Sequence, residues 1–184
     1  MLSMVRKYRN CRTKRNSSIC KQRRQNKERR NTTSDLSLND LKFEIKQEAI
    51  NQLTAYAQHE GNELCGVLTG SQIGENCFRI SKVSPPCVAR NSHCGCERDA
   101  KAANAFIAQD FEQSGHTRIY IGEWHTHPET HPAPSGTDRK SIIKTFSTSD
   151  IGVPFLIMAI VGTCSIYFSV YNGKEFKVIT PLVL

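Results

Sequence analysis

The chain has 184 residues, the usual size of one domain, and is long enough to bury a core without disulfides or metals to staple it. Its formal net charge of +8 is unevenly distributed: residues 1–30 contain twelve Lys/Arg and one acidic residue, whereas residues 31–184 contain thirteen basic and sixteen acidic residues. The net charge is therefore +11 for the first segment and −3 for the rest, which confines a nucleic-acid-binding surface to the N-terminal segment.

Apolar patterning argues against a membrane or secreted protein. The longest apolar run, 153–161, is far shorter than the roughly 20 residues needed to span a bilayer. Residues 1–30 have no apolar stretch behind their positive charges, as a secretory signal would have. We therefore expect a cytoplasmic protein whose eight cysteines are free thiols rather than a disulfide framework, with Cys65 and Cys164 as plain core residues in apolar strands.

Residues 1–39 are rich in Arg, Lys, Asn, Ser and Thr and show no apolar periodicity, which predicts a disordered basic arm. Three interpretations of this arm stay open: it binds nucleic acid or an acidic partner, it is a solvated extension, or it derives from an upstream start codon. Tyr8 is its single aromatic residue, so there is little support for base stacking. Residues 40–184 are expected to form the folded domain.

Strand and helix patterns alternate from residue 41 onward. In the first half of the domain they predict a strand at 41–45, a helix over 49–57 ended by Gly61, and strands at 64–69 and 77–83 joined by a turn at 71–76. A loop over 84–96, a helix over 97–113 and a strand at 118–124 follow. The remaining elements are a loop at 125–134, a helix from 135 to about 147, a strand at 154–161 and a hairpin of 165–171 with 175–180. The hairpin turn, Asn172-Gly173, is the strongest short-range signal of its kind. This order indicates a single α/β domain with a mixed, mostly antiparallel sheet flanked by helices.

Segment 122–138 concentrates side chains that bind metals. His125 and His127 are two residues apart, so on an extended segment they point to the same side, whereas Thr126 faces away and is expected to pack. Asp138 supplies a third ligand if the intervening loop folds back. Two His and one carboxylate leave a fourth position open for water, which is the form of a catalytic zinc site, although Fe(II) also uses this set.

A catalytic metal site of this kind also needs a base. A carboxylate beside the activated water can take its proton and pass it to a leaving amine. Spacing alone leaves four candidates open, which are Glu60, Glu63, Glu123 and Glu129. Two neighbouring features have simpler interpretations: Ser135 and Asp138 also have the form of a helix capping box, and His131 is expected to be an ordinary loop residue.

A second metal site is only weakly indicated. Cys87, Cys94 and Cys96 lie near His93, but their spacing lacks the paired C-x2-C knuckles that make a zinc prediction strong. A thiol nucleophile lacks a matching His, and a zinc deaminase is excluded because its P-C-x-x-C pattern is absent.

The same residues resemble the signature of the JAMM (MPN-plus) zinc metalloproteases. That signature has a Glu before a Cys-Gly-hydrophobic strand, then H-[ST]-H-P, a Ser that seven residues separate from the second His, and, after two more residues, an Asp. Here these are Glu63, 125–128, Ser135 and Asp138, and every gap matches. The resemblance covers about residues 41–184.

The resemblance implies a β-barrel-like sheet flanked by helices and a zinc isopeptidase acting at the C-terminus of a ubiquitin-like modification. If the roles of the matching family residues apply to this chain, the resemblance implies that one zinc ion is held by His125, His127 and Asp138. Glu63 is then the general acid/base for the activated water, and Ser135 donates a hydrogen bond to the tetrahedral oxyanion.

Four short segments are similar to the small bacterial JAB-domain proteins of type II CBASS antiphage operons: Glu123-Trp124, Pro128-Glu129, Arg90-x-Ser92 and Arg98-Asp99. This narrower resemblance implies removal of a ubiquitin-like modification from a cGAS-like nucleotidyltransferase, with a ubiquitin-activating and conjugating fusion encoded nearby. The loop 93–96 and the basic arm depart from the pattern, so substrate-binding residues stay unassigned. The alternatives are a JAMM peptidase processing a sulfur-carrier precursor or other peptide, and a non-catalytic MPN binding module.

Overall fold

A computed structural model describes residues 37–184, so the predicted arm over 1–39 lies outside the described residues except at its end. Leu38 is buried in the core. The Lys177 ammonium donates hydrogen bonds to the Leu38 carbonyl at 3.3 Å and to Oδ1 of Asn39 at 2.7 Å. Leu38, at the end of the predicted arm, is therefore part of the packed domain.

Residues 37–184 contain ten strands and three helices. In chain order they are β1 Lys42–Ile45, α1 Gln47–Ala55, β2 Cys65–Gly74, β3 Cys77–Val83, β4 Val88–Ser92, β5 Gly95–Arg98, α2 Ala100–Gln113, β6 Ile119–Thr126, α3 Gly136–Thr148, β7 Leu156–Val161, β8 Ile166–Tyr171, β9 Phe176–Val178 and β10 Leu182–Val183. None of these helices is long and apolar enough to cross a bilayer.

Eight strands form one mixed sheet in the order β10-β1-β3-β2-β6-β7-β8-β9. The pairs β2–β3, β2–β6, β7–β8 and β8–β9 are antiparallel, whereas β1–β10, β1–β3 and β6–β7 are parallel. β4 and β5 pair with each other as a separate antiparallel hairpin. The prediction of an α/β domain with a mixed, mostly antiparallel sheet is confirmed.

The core lies on both faces of β7. All six residues of this strand are buried, as is typical of a strand covered on both sides. Residues 157, 159 and 161 belong to a cluster with Phe43, Phe78 and Phe155, in which the Phe155 ring meets each of the other two edge to face. Residues 156, 158 and 160 pack with Ile142 of α3. Burial of both faces makes β7 a rigid support for its neighbour β6.

Close pairing fixes the position of β6, which carries the histidines. Gly122 lies opposite Ile157, and a Cβ at Gly122 would collide with the Ile157 carbonyl oxygen. On the other side of β6, His125 pairs with Cys65 of β2. The C-terminal end of β6 therefore lies beside the N-terminal end of β2, and the segment carrying Glu63 lies next to the histidines.

Several predicted boundaries are wrong. The expected turn at 71–76 is shorter because β2 continues to Gly74, and the helix expected over 97–113 begins at Ala100. The expected loop over 84–96 contains β4 and the first two residues of β5, because this hairpin forms its backbone ladder without an apolar alternation that a sequence pattern would detect. The first helix ends at Ala55 rather than near Gly61, and the following Tyr56 stacks on Trp124 with ring centroids 4.7 Å apart. A long-range aromatic contact at this position is invisible to local periodicity.

The expectation of free thiols is wrong for one pair, because Cys65 of β2 and Cys96 of β5 form a disulfide. The two residues are 31 positions apart, and the fold brings their Cα atoms to 6.1 Å. Cys65 is buried as predicted, whereas Cys164 is exposed. The free cysteines of the described part are Cys77, Cys87, Cys94 and Cys164.

Candidate metal centre and active site

The two histidines lie at the C-terminal end of β6. His125 is within the strand, and His127 continues the pairing with β7 because its backbone N–H donates to the Val161 carbonyl at 2.9 Å. The extended backbone turns both rings to the same side, with centroids 4.9 Å apart. Thr126 points away from the rings and is buried.

Asp138 reaches the histidines from the first turn of α3. Ser135 caps this helix: its Oγ accepts a hydrogen bond from the Asp138 N–H at 3.2 Å, and its own N–H donates to Oδ2 of Asp138 at 2.7 Å. Oδ1 and Oδ2 of Asp138 lie 3.5 Å and 3.6 Å from Nε2 of His125 and His127, respectively. The capping box thus holds the carboxylate against the rings, so the capping and ligand interpretations of Asp138 are compatible.

These three side chains fit a metal ion. Their donor atoms all lie within 4.8 Å of one another, and within residues 37–184 no other group of three His, Cys, Asp or Glu side chains does so. Nε2 of His125 is buried and has no hydrogen-bond partner there, although buried ring nitrogens normally have one. Two imidazoles and one carboxylate are a ligand set that zinc takes when one position stays open.

Asp138 is poised to act as an ionised ligand. Burial raises the pKa of its carboxyl, but the charge of the nearby His125 ring and the hydrogen bonds of Ser135 outweigh burial, so the pKa lies well below its usual value. A carboxylate that remains ionised through the physiological range suits a divalent cation.

Glu63 lies beside this ligand set, just before β2. Its side chain is buried, and its Oε1 is 3.9 Å from Nε2 of His127. Burial raises the pKa of Glu63; the charge of His127 opposes this, while those of Asp138 and Glu129 add to it. A carboxylate with a raised pKa, next to the three candidate ligands but outside them, is suited to taking up and releasing a proton.

The other three candidate bases are placed differently. Glu60 is exposed. Glu129 faces the opposite ring nitrogen of His127, with Oε2 at 3.5 Å from Nδ1. Glu123 forms an ion pair with Arg98 and accepts a hydrogen bond from the Tyr120 hydroxyl at 2.7 Å. The structure therefore leaves Glu63 as the carboxylate that faces the ligand atoms.

No sequence pattern indicated the ion pair between Arg98 and Glu123, since the residues are 25 positions apart. Both side chains line a small cavity together with Glu63 and Asp138. Burial lowers the pKa of Arg98, but the Glu123 carboxylate outweighs it and keeps the guanidinium charged. Burial and the same carboxylate raise the pKa of Tyr120 well above its usual value. A fixed charge pair thus borders the site.

The weaker metal candidates do not assemble in the described residues. Cys96 is disulfide-bonded to Cys65, so it is no thiolate ligand for a cluster with Cys87 and Cys94. His131 is exposed, and its Nδ1 lies 3.0 Å from Oγ of Ser165, as expected for a loop residue.

The fold and the His, His, Asp and Glu arrangement define a JAB-type domain. A family model described as prokaryotic homologs of the JAB domain matches residues 46–177. The chain belongs to this family.

Two relatives carry the name CD-NTase/cGAS isopeptidase. One, from Vibrio cholerae serotype O1, is 34% identical over 99 residues, which are 53% of this chain and 64% of that protein. The other, from Escherichia coli strain TW11681, is 33% identical over 137 residues, which are 72% of this chain and 81% of that protein. The match thus spans just under two thirds of the Vibrio protein.

The fold is also similar to a solution structure of a protein from Desulfitobacterium hafniense. The TM-score is 0.59 at 18% sequence identity, and the match covers 77% of this chain and 92% of that one. At this identity the likeness concerns the fold alone.

Proposed function

We propose that this chain is a zinc-dependent isopeptidase of the JAMM type. It hydrolyses the amide bond at the C-terminus of a ubiquitin-like modification and so deconjugates a cGAS-like nucleotidyltransferase in the cytoplasm. The observation that carries the proposal is the buried Glu63 carboxylate, 3.9 Å from Nε2 of His127, beside a His125, His127 and Asp138 set that fits one metal ion.

His125, His127 and Asp138 would hold the zinc ion. When bound, zinc supplies Lewis acidity, which polarises the scissile carbonyl and makes water acidic enough to lose a proton near neutral pH. Glu63 accepts that proton at its carboxylate and later donates it to the leaving amine nitrogen. Its raised pKa, caused first by burial, suits both halves of this transfer.

In this proposal Ser135 stabilises the charge that develops on the carbonyl oxygen. Its Oγ already accepts a hydrogen bond from the Asp138 N–H, so its hydroxyl proton is available to a further acceptor. The capping box fixes the direction of this donor before substrate arrives. A preorganised donor of this kind stabilises the transition state more than the ground state.

The substrate assignment rests on the two relatives named CD-NTase/cGAS isopeptidase. It implies that a fusion protein that activates and conjugates the ubiquitin-like modifier is encoded nearby. Two alternative functions compete with this proposal. The chain could process a sulfur-carrier precursor by the same chemistry, or it could bind a partner without catalysis.

The test compares wild type with Glu63→Gln on a ubiquitin-like protein joined to a nucleotidyltransferase. We expect about one zinc ion per chain by elemental analysis in both proteins, since Glu63 is not a ligand. Wild type should release the free modifier, read by mass spectrometry, and Glu63→Gln should not. Undiminished turnover by Glu63→Gln contradicts the mechanism, and cleavage of only a sulfur-carrier precursor contradicts the substrate.

A further inference from the structure

We infer that Thr126, together with Asn91, is a positioning residue for Glu63, and this inference rests on the proposed role of Glu63. Thr126 lies between the two histidines, but its side chain faces away from them and contacts the backbone next to Glu63. The Thr126 hydroxyl therefore orients Glu63, the proposed base, rather than binding the metal.

Both polar groups of the peptide that joins Glu63 to Leu64 are held by side chains. The Leu64 N–H donates to Oγ1 of Thr126 at 2.9 Å, and the Glu63 carbonyl accepts from Nδ2 of Asn91 at 2.9 Å. A peptide group is planar, so two hydrogen bonds from opposite directions fix its orientation. The orientation of this plane sets the direction in which the Glu63 side chain leaves the backbone.

The Thr126 hydroxyl is itself held in one direction. Its Oγ1 donates to Oε1 of Gln58 at 3.0 Å, which commits its single proton and leaves a lone pair for the Leu64 N–H. Thr126 is 1% exposed, so water does not replace either bond. Its backbone N–H also donates to the Leu64 carbonyl at 2.9 Å. Leu64 is therefore bonded at both its N–H and its carbonyl to one residue.

Two separate parts of the fold form hydrogen bonds with the backbone at Glu63. The Glu63 N–H donates to the Ser92 carbonyl at 2.9 Å, so the β4–β5 hairpin holds this residue through Asn91 and Ser92. Thr126 holds it from β6, the strand that also carries His125. Because the same strand carries a ligand and the residue that orients the base, base and metal keep a fixed separation.

Loss of the hydroxyl should therefore affect catalysis more than metal binding. Valine has nearly the shape of threonine, but Thr126→Val leaves the buried Leu64 N–H without an acceptor, so the peptide can rotate. A displacement of about 1 Å at a reacting group can cost up to about 100-fold in rate. The ring nitrogens of His125 and His127 are on the opposite side and keep their positions.

The experiment compares Thr126→Val, Thr126→Ser and Asn91→Ala in the full chain. We expect Thr126→Val to lower kcat by about 10- to 100-fold, with KM and zinc affinity, the latter from chelator competition, changed less than about twofold. Thr126→Ser restores the acceptor and should recover kcat to within about threefold of wild type. Asn91→Ala, in the less buried hairpin, should lower kcat in the same way as Thr126→Val.

Hydrogen exchange at the Leu64 amide, measured on the zinc-free proteins, separates this inference from the proposed function. Exchange should be faster in Thr126→Val than in wild type and Thr126→Ser. Unchanged exchange in Thr126→Val overturns the inference whether or not the chain cleaves a conjugate. Faster exchange with unchanged kcat, or an equal loss of kcat in Thr126→Ser, also overturns it. If Thr126→Val does not fold, an unchanged kcat in Asn91→Ala has the same effect.

Discussion

Oε2 of Glu129 lies 3.5 Å from Nδ1 of His127, the ring nitrogen that faces away from Asp138. The same oxygen accepts a hydrogen bond from the Ala133 N–H at 3.4 Å, and the Glu129 carbonyl accepts one from the Thr163 N–H at 2.9 Å. The carboxylate is therefore anchored within its loop. A carboxylate on the second nitrogen of a metal-binding histidine fixes the tautomer and raises the basicity of the ligand.

The first prediction concerns zinc affinity. Glu129→Ala should lower zinc affinity by about 10-fold, because His127 loses its partner. Glu129→Gln keeps an oxygen acceptor without the charge and should show a smaller loss. Titration against a chromophoric chelator measures both. Equal zinc affinity for Glu129→Ala and wild type would show that the contact does not tune the ligand.

The second prediction separates the two contributions of Ser135. Ser135→Ala removes both the hydroxyl donor and the helix cap, so kcat should fall by about 100-fold and stability by about 1 kcal/mol. Ser135→Gly also removes the hydroxyl, but glycine is a tolerated N-cap, so its stability loss should be only a few tenths of a kcal/mol. Steady-state kinetics and urea unfolding test both variants. A kcat for Ser135→Gly close to that of wild type would rule out the donor role.

The third prediction is a pH dependence of stability centred on Asp110. This buried carboxylate accepts hydrogen bonds from the Arg118 guanidinium at 2.6–3.0 Å and from the Thr69 hydroxyl at 2.6 Å, and it pairs with Lys82 at 3.4 Å. Burial raises the pKa of Asp110, but these partners outweigh it and lower the pKa below its usual value. The stabilisation is present above the unfolded pKa of about 3.9 and is lost as the pH falls through the folded value.

Asp110→Asn is expected to be about 2 kcal/mol less stable than wild type at pH 7, since it loses the charged hydrogen bonds. The difference should shrink as the pH falls below about 4, because wild type then loses the same charge by protonation. Urea unfolding at several pH values measures this difference. A difference that stays constant down to the lowest pH at which both proteins fold would contradict the assignment.

The fourth prediction concerns the ion pair at the edge of the site. Glu123→Leu leaves the Arg98 guanidinium, 21% exposed, without its partner, and should destabilise the zinc-free protein by about 3 kcal/mol. The double variant Arg98→Met with Glu123→Leu removes both charges and should recover most of this loss. Urea unfolding of the two variants and the wild type provides the comparison. Additive losses in the double variant would show that the two side chains act independently.

The fifth prediction concerns the N-terminal segment. A chain starting near Asp35 should keep full peptidase activity, because the site and core residues in the described part of the chain all lie at or after Leu38. Leu38→Ala in the same chain should lose about 2–3 kcal/mol of stability, because Leu38 is 3% exposed and packs in the core. Activity assays and urea unfolding measure the two effects. Loss of activity in the shortened chain would assign the arm a part in catalysis.

The sequence alone predicted the elements whose patterns are local. Strand β7 is a continuous apolar run, the β8–β9 hairpin turns at Asn172-Gly173, and both appear at the expected positions. The polar β4–β5 hairpin was missed because no side-chain periodicity marks a strand that buries neither face. The fold class could therefore be predicted, while the part that borders the site could not.

For the site, the sequence determined which side chains are available: His125, His127 and Asp138 as candidate ligands, and four carboxylates as possible bases. Spacing within one strand is a local property, so the histidine pair could be predicted from alternation. Which carboxylate faces the ligands depends on the register of β2 against β6, a long-range pairing that no local pattern encodes. Three further contacts also depend on long-range packing, because each joins residues that only the tertiary structure brings together. They are the disulfide of Cys65 with Cys96, the ion pair of Arg98 with Glu123 and the hydrogen bond from Leu64 to Thr126.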